Sequence, residues 1–191
     1  MFGIELFIQP IHEFCVDEVK STWGNRFIIS AIMQGGIVTI LALSMVGAQI
    51  VFSKVNLIQF LSLSFEGPAK WVFLGLMFYL ILIVAIAVTA VFYSHLEINL
   101  KRSFAGKTRI LAWIHLIGMN VGGTGTTLLM VFAGLSGSGA LAIFTTGEIG
   151  KQNLAVMDSF IPPIGLFIAA LAFGVLCGGL AYTVAYLRKS A

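Results

Sequence analysis

Apolar positions along this chain fall into four long runs without Asp, Glu, Lys or Arg: Phe27 to Ser53, Trp71 to Leu96, Ile110 to Gly147 and Ser159 to Leu187. About 20 consecutive apolar residues cross a bilayer as a helix, so each run predicts a transmembrane span. The third run is too long for one crossing. Its tail, SGSGALAIFTTG, is small and glycine-rich, which ends the helix near Leu135 and leaves an external loop or half-buried turn. The predicted spans are about 27–52, 71–96, 110–135 and 164–187. The expected fold is an all-α integral membrane protein, a single membrane domain over residues 1–191.

Composition supports that solvent. Charged residues make up 10% of the chain and hydrophobic ones 59%, whereas soluble domains carry roughly 25% charged residues. Lys and Arg set the orientation, because positive residues accumulate on the cytoplasmic side. Lys20, Arg26, Lys101, Arg102, Lys107, Arg109, Arg188 and Lys189 share one face of a four-span chain, against Lys54, Lys70 and Lys151 on the other. Both termini are therefore expected in the cytoplasm of a prokaryotic cell, with the chain multi-pass in its plasma membrane. The net charge of +3 then reflects topology and implies no nucleic-acid partner.

The first 23 residues, MFGIELFIQPIHEFCVDEVKSTW, lack the basic start and small-residue cleavage site of a signal peptide. They predict a retained interfacial segment, with Phe2, Leu6, Phe7, Ile11 and Phe14 against lipid or a partner and a break at Pro10. The external link 55–70 reads the same way. Cys15 falls on the cytoplasmic side and Cys177 inside a span, so no disulfide is expected.

One apolar stretch carries most of the polar and small residues: HLIGMNVGGTGTTLLMVFAG, 115–134. Its GTGTT lacks the Lys-Ser/Thr ending, preceding strand and water access of a phosphate loop. At 100° per residue it sorts into three faces. Gly118, Gly122 and Gly125 form a small-residue stripe with His115 at its cytoplasmic end, and Asn120, Thr124 and Thr127 form a polar stripe nearly opposite. Ile114, Ile117, Val121, Leu128 and Phe132 leave a narrow lipid band. Two faces turned from lipid predict a central helix.

Gly118-x-x-x-Gly122 lets two backbones approach closely, and Gly174-x-x-x-Gly178 in the fourth span offers a matching surface. The polar stripe is read as interhelical hydrogen bonding, against the alternative of a polar ligand or proton path. His115 and His95 lie near the same membrane boundary on successive spans, a pairing that could supply two axial ligands to a haem. Five residues of helix would set His115 about 8 Å deeper than His95, more than one iron spans. A hydrogen-bonded structural His115 is the preferred reading, with a role beside a partner's cofactor as the other.

A family resemblance also runs through residues 71–140. The segment FYSHLEINLKRSFAGKTRILAWIHLIGMNVGGTGTTLLMVFAGLSG resembles the late helices of the catalytic subunit of haem-copper oxidases, on Phe92, Tyr93, Gly106, Lys107, His115, Gly118, Asn120, Gly134, Leu135 and Gly137. That family's preceding helix opens with a His-x-His pair that ligates two haems, where this chain has Gly75 and Met77. The copper-ligand histidines and the redox tyrosine motif are absent too, since the chain holds three histidines in all. The resemblance implies a degenerate relative without its own metal centre.

No span contains a charged residue, and self-sufficient ion transporters place such residues in the membrane. Ser94 beside His95 is a sequence neighbour pair with only Glu97 near to orient the imidazole, which does not make a hydrolytic site. The expectation is a non-catalytic membrane subunit of a prokaryotic respiratory terminal oxidase or related electron-transfer complex. Its glycine-rich third and fourth helices would pack against a metal-bearing subunit. The chain would bind no cofactor itself, with haem or quinone at the partner interface. The alternatives are a small cytochrome b-like or quinone-interacting carrier using His95 and His115, and a membrane assembly or transport-accessory protein.

Overall fold

The structure, a computed structural model, describes residues 21–52, 56–63 and 67–188. Residues 1–20 of the expected interfacial segment, with Cys15 and Lys20, as well as Lys54, part of the 55–70 link and Lys189, lie outside these residues, whereas Thr22 and Trp23 belong to the first helix. Among them no strand occurs, and four helical stretches are long and apolar enough to cross a membrane.

The first is α1, Thr22–Val51; a short α2, Leu57–Leu63, follows. The second crossing is α3, Lys70–Ser94, ending in one π turn, His95–Asn99. The third is a continuous helix in three parts: α4, Lys107–Ile117, a π turn at Gly118–Gly123, and α5, Thr124–Gly137. Short helices α6, Ile143–Thr146, and α7, Leu154–Asp158, lead to the fourth crossing, α8, Ile161–Leu187.

Each of the four crossings falls on one charge-free run; α1 and the third span start before their runs, and the second crossing extends past its run at both ends. α1 starts early because the Ser21 side chain accepts from Gly24 N at 2.9 Å, meeting one of the orphan donors of a helix start. The charge of Arg26 is no obstacle, since its guanidinium lies 4.6 Å from the Trp23 ring and 4.7 Å from that of Trp113. At α8, Pro162 and Pro163 occupy the first turn, where a missing N–H costs nothing.

The third span is the most buried of the four and sits centrally, as its two non-lipid faces required. It packs on α3 through α5 and on α8 through α4 and the π turn, while α1 packs on α3. Ile117, Val121 and Phe132 of the predicted lipid band are exposed, whereas Ile114 and Leu128 are half-buried against neighbours. The stretch after Leu135 is a half-buried turn: Gly139 adopts φ +77°, Gly150 N donates to Gly139 O at 3.0 Å, and Ile143 is fully buried. A side chain at Gly139 would meet the Gly150 carbonyl, so both conformation and space demand glycine there.

Candidate functional site

The two stripes of the third span find different neighbours. Along the glycine stripe, a Cβ on Gly118 would lie 2.6 Å from Gly174 Cα, and one on Gly122 would lie 2.5 Å from Leu171 N. Gly125 is covered by the Phe167 ring, and Gly178 by the ring of His115. These glycines therefore join the third and fourth spans of one chain to each other. Of the two matched motifs, Gly118 meets Gly174 directly, while Gly122 meets Leu171 and Gly178 meets His115. Within the chain this glycine surface is taken up by α8.

The polar stripe faces α1 and α3. Tyr79 O–H donates to Gln34 Oε1 at 2.7 Å, and Gln34 Nε2 donates to Asn120 Oδ1 at 2.9 Å. Asn120 Nδ2 in turn donates to Leu116 O at 2.8 Å, and Thr124 lies beside the Tyr79 hydroxyl. Thr127 donates to its own backbone at Gly123 O, 3.0 Å away. Of the three stripe residues, Asn120 joins a hydrogen-bonded chain across three helices, whereas Thr127 bonds only its own span. Gln34 and Tyr79 fall outside the stripe read from the sequence; the signal available for Gln34 is an amide midway along the charge-free run 27–53, one of two there with Gln49.

His95 and His115 are not brought into one site. His95 is exposed and bonds Asn99 Nδ2 through its Nδ1 at 2.8 Å inside the π turn that ends α3. His115 is buried, with its Nδ1 3.2 Å from the Tyr93 hydroxyl and its ring 5.3 Å from that of Phe27. Phe27 stacks on Tyr93 at 4.9 Å, and Phe104 closes on Tyr93 at the same distance. Tyr93 belongs to the residues that carry the oxidase resemblance, but its pairing with His115 across helices was not foreseen.

Beside this aromatic group the start of α1 and the end of α3 are tied together at one boundary of the bundle. Glu97 accepts from Ser21 Oγ at 2.5 Å and from Trp23 N at 2.9 Å, so a carboxylate in the turn after α3 caps the start of α1. Ser94 joins the same cluster by donating to Ser21 Oγ at 3.3 Å rather than pairing with its neighbour His95.

On the other side of His115 an apolar groove opens between α3 and α8. Its volume is ≈ 570 Å³, with Val88, Phe92 and Tyr93 on one wall, Gly179 and Tyr182 on the other, and His115 at the floor. No charged residue lines it.

A Cβ on Gly75 would lie 2.8 Å from Val131 Cγ2 and 2.9 Å from Thr127 O, so α3 and α5 meet there backbone to side chain, and Met77 faces outward. Among the described residues no three His, Cys, Asp or Glu side chains gather into a group that could hold a metal. No protein-family model matches the chain, and neither a curated protein nor a solved structure matches it.

Proposed function

We propose that this chain is a non-catalytic integral subunit of a prokaryotic respiratory terminal oxidase or related electron-transfer complex, docked on a metal-bearing membrane subunit. The observation that carries the reading is the outer face of α1. Ile32, Gly36, Ile40, Leu43, Gly47 and Ile50 fall within about 80° of one another at 100° per residue. Ile32, Ile40, Leu43 and Ile50 are exposed, and a Cβ on Gly36 or Gly47 would meet nothing within 4 Å.

Glycine inside a helix costs about 1 kcal/mol against alanine. Inside a bilayer it offsets that cost where another backbone comes close. In the third span Gly118, Gly122, Gly123, Gly125 and Gly134 meet α8 or α3, while Gly36 and Gly47 of the α1 outer face meet nothing among the described residues. A helix of a second subunit fits that face, and the oxidase resemblance supplies the kind of complex. The separate surroundings of His95 and His115 favour this reading over a self-contained bis-histidine carrier.

Co-purification tests the proposal. The tagged chain is expected to bring down a haem-bearing subunit from mild detergent extracts, and Gly36→Trp, which fills open space, should reduce that recovery at least tenfold while leaving the chain's own melting temperature unchanged. A chain recovered without any haem protein, or with a transporter instead, would overturn it. Reduced-minus-oxidised bands in the chain purified alone would replace it with the carrier reading.

The proposed orientation places the N-terminus, the 97–109 connection and the C-terminus in the cytoplasm, from the distribution of Lys and Arg. A membrane-impermeant thiol reagent applied to intact cells should then modify Lys151→Cys and spare Lys107→Cys. The reverse labelling would invert the topology.

A further inference from the structure

We propose that the groove between α3 and α8 binds the neutral ring of a lipid-soluble isoprenoid quinone, with His115 Nε2 donating a hydrogen bond to a ring carbonyl. The inference goes beyond the docked-subunit reading and does not rest on it, since the groove uses no residue of the α1 outer face.

Its floor supplies a donor. The Tyr93 hydroxyl lies 3.2 Å from His115 Nδ1 and has no other partner among the described residues; with the hydroxyl as donor, Nδ1 is the acceptor. A neutral imidazole with an acceptor Nδ1 carries its proton on Nε2. That Nε2 has no partner among the described residues, although His115 is only 8% exposed and forms part of the groove wall. An intramembrane donor left without a partner is costly, which a carbonyl acceptor relieves.

The walls select the rest of the ligand. They bear no charge, and the cavity of ≈ 570 Å³ suits a head group whose tail continues into lipid. Aromatic rings of Phe92 and Tyr182, 6.0 Å apart, bridge α3 and α8 at one end. Gly179 presents bare backbone, with nothing within 4 Å of where its Cβ would stand. A flat ring can lie against such a wall. The helix rise puts His115 about 12 Å along the third span from Lys107, a depth that a ligand reaches by way of the bilayer.

The test uses the full-length chain in nanodiscs doped with decylubiquinone, with bound quinone quantified after exchange into quinone-free lipid. Saturable binding of one quinone per chain is expected. Gly179→Leu, whose side chain enters the groove and touches no protein atom at its Cβ, should weaken binding at least tenfold with the melting temperature retained; His115→Phe should do the same by removing the donor. Decylbenzene, which has the tail and ring but no carbonyl, should compete at least tenfold more weakly. Wild-type binding by Gly179→Leu would overturn the site. Equal competition by decylbenzene would overturn the hydrogen bond, and equal competition by oleic acid or a diacylglycerol would overturn the quinone as the occupant.

Discussion

Gly122→Leu is expected to unfold the pairing of the third span with α8. The new side chain would begin 2.5 Å from Leu171 N and 2.9 Å from Phe167 O. Those are backbone atoms of a helix and cannot rotate aside as a side chain can. Overpacking of a tight core costs about 1–3 kcal/mol, and a clash with backbone belongs at the upper end or beyond. Unfolding in mixed micelles against denaturant should show a loss of at least about 3 kcal/mol. Val121→Leu is the control: Val121 is 56% exposed on the lipid side, and lipid tails are as apolar as leucine, so its stability should stay near that of the wild type. A Gly122→Leu protein as stable as Val121→Leu would show that the two helices do not meet backbone to backbone.

Replacing Glu97 by Ala should be the costliest change among the polar side chains. The carboxylate accepts from Ser21 Oγ and Trp23 N, and hydrogen bonds to a charged group contribute about 1.5–3 kcal/mol each. Because Glu97 is partly exposed, water replaces some of what is lost, so about 2 kcal/mol is the expected destabilisation. The first turn of α1 should open with it. Amide hydrogen exchange over residues 22–27 would speed up in Glu97→Ala and much less in Glu97→Gln, which keeps an acceptor oxygen. Unchanged exchange in both variants would mean that Ser21 alone secures the start of the helix.

Helix positions were legible because a bilayer demands charge-free length, and the runs of this chain meet that demand without ambiguity. The helix ends were less so. Arg26 reads as a boundary in one dimension, yet two tryptophans, one 87 residues downstream, hold its guanidinium within the helix. The glycine stripe and its fourth-span match could be read from spacing. Whether such a stripe joins helices of one chain or of two is a matter of chain path, which spacing does not encode.

Side-chain pairings across helices were mostly hidden for the same reason. Periodicity tells which residues share a face of one helix, and it carries no information about height against the next. Tyr93 with His115 and Gln34 with Asn120 depend on that height. The groove depends on it threefold, because α3, the third span and α8 each contribute part of its lining.

The π turn at Gly118–Gly123 has a consequence for how this protein tolerates changes in length. Met119, Gly123, Thr127 and Val131 all meet α3 or border it, at a strict spacing of four residues. In an α-helix each such step drifts about 40° around the axis. The wider i→i+5 turn takes up that drift with one surplus residue. Removing a residue within the π turn would let it tighten into an α turn, with the stretches on either side keeping their neighbours. The same deletion in α5 has no surplus to absorb it, and would swing every later residue of the span by about 100°. Insertions and deletions in the membrane are therefore confined to one place, midway along the most buried helix.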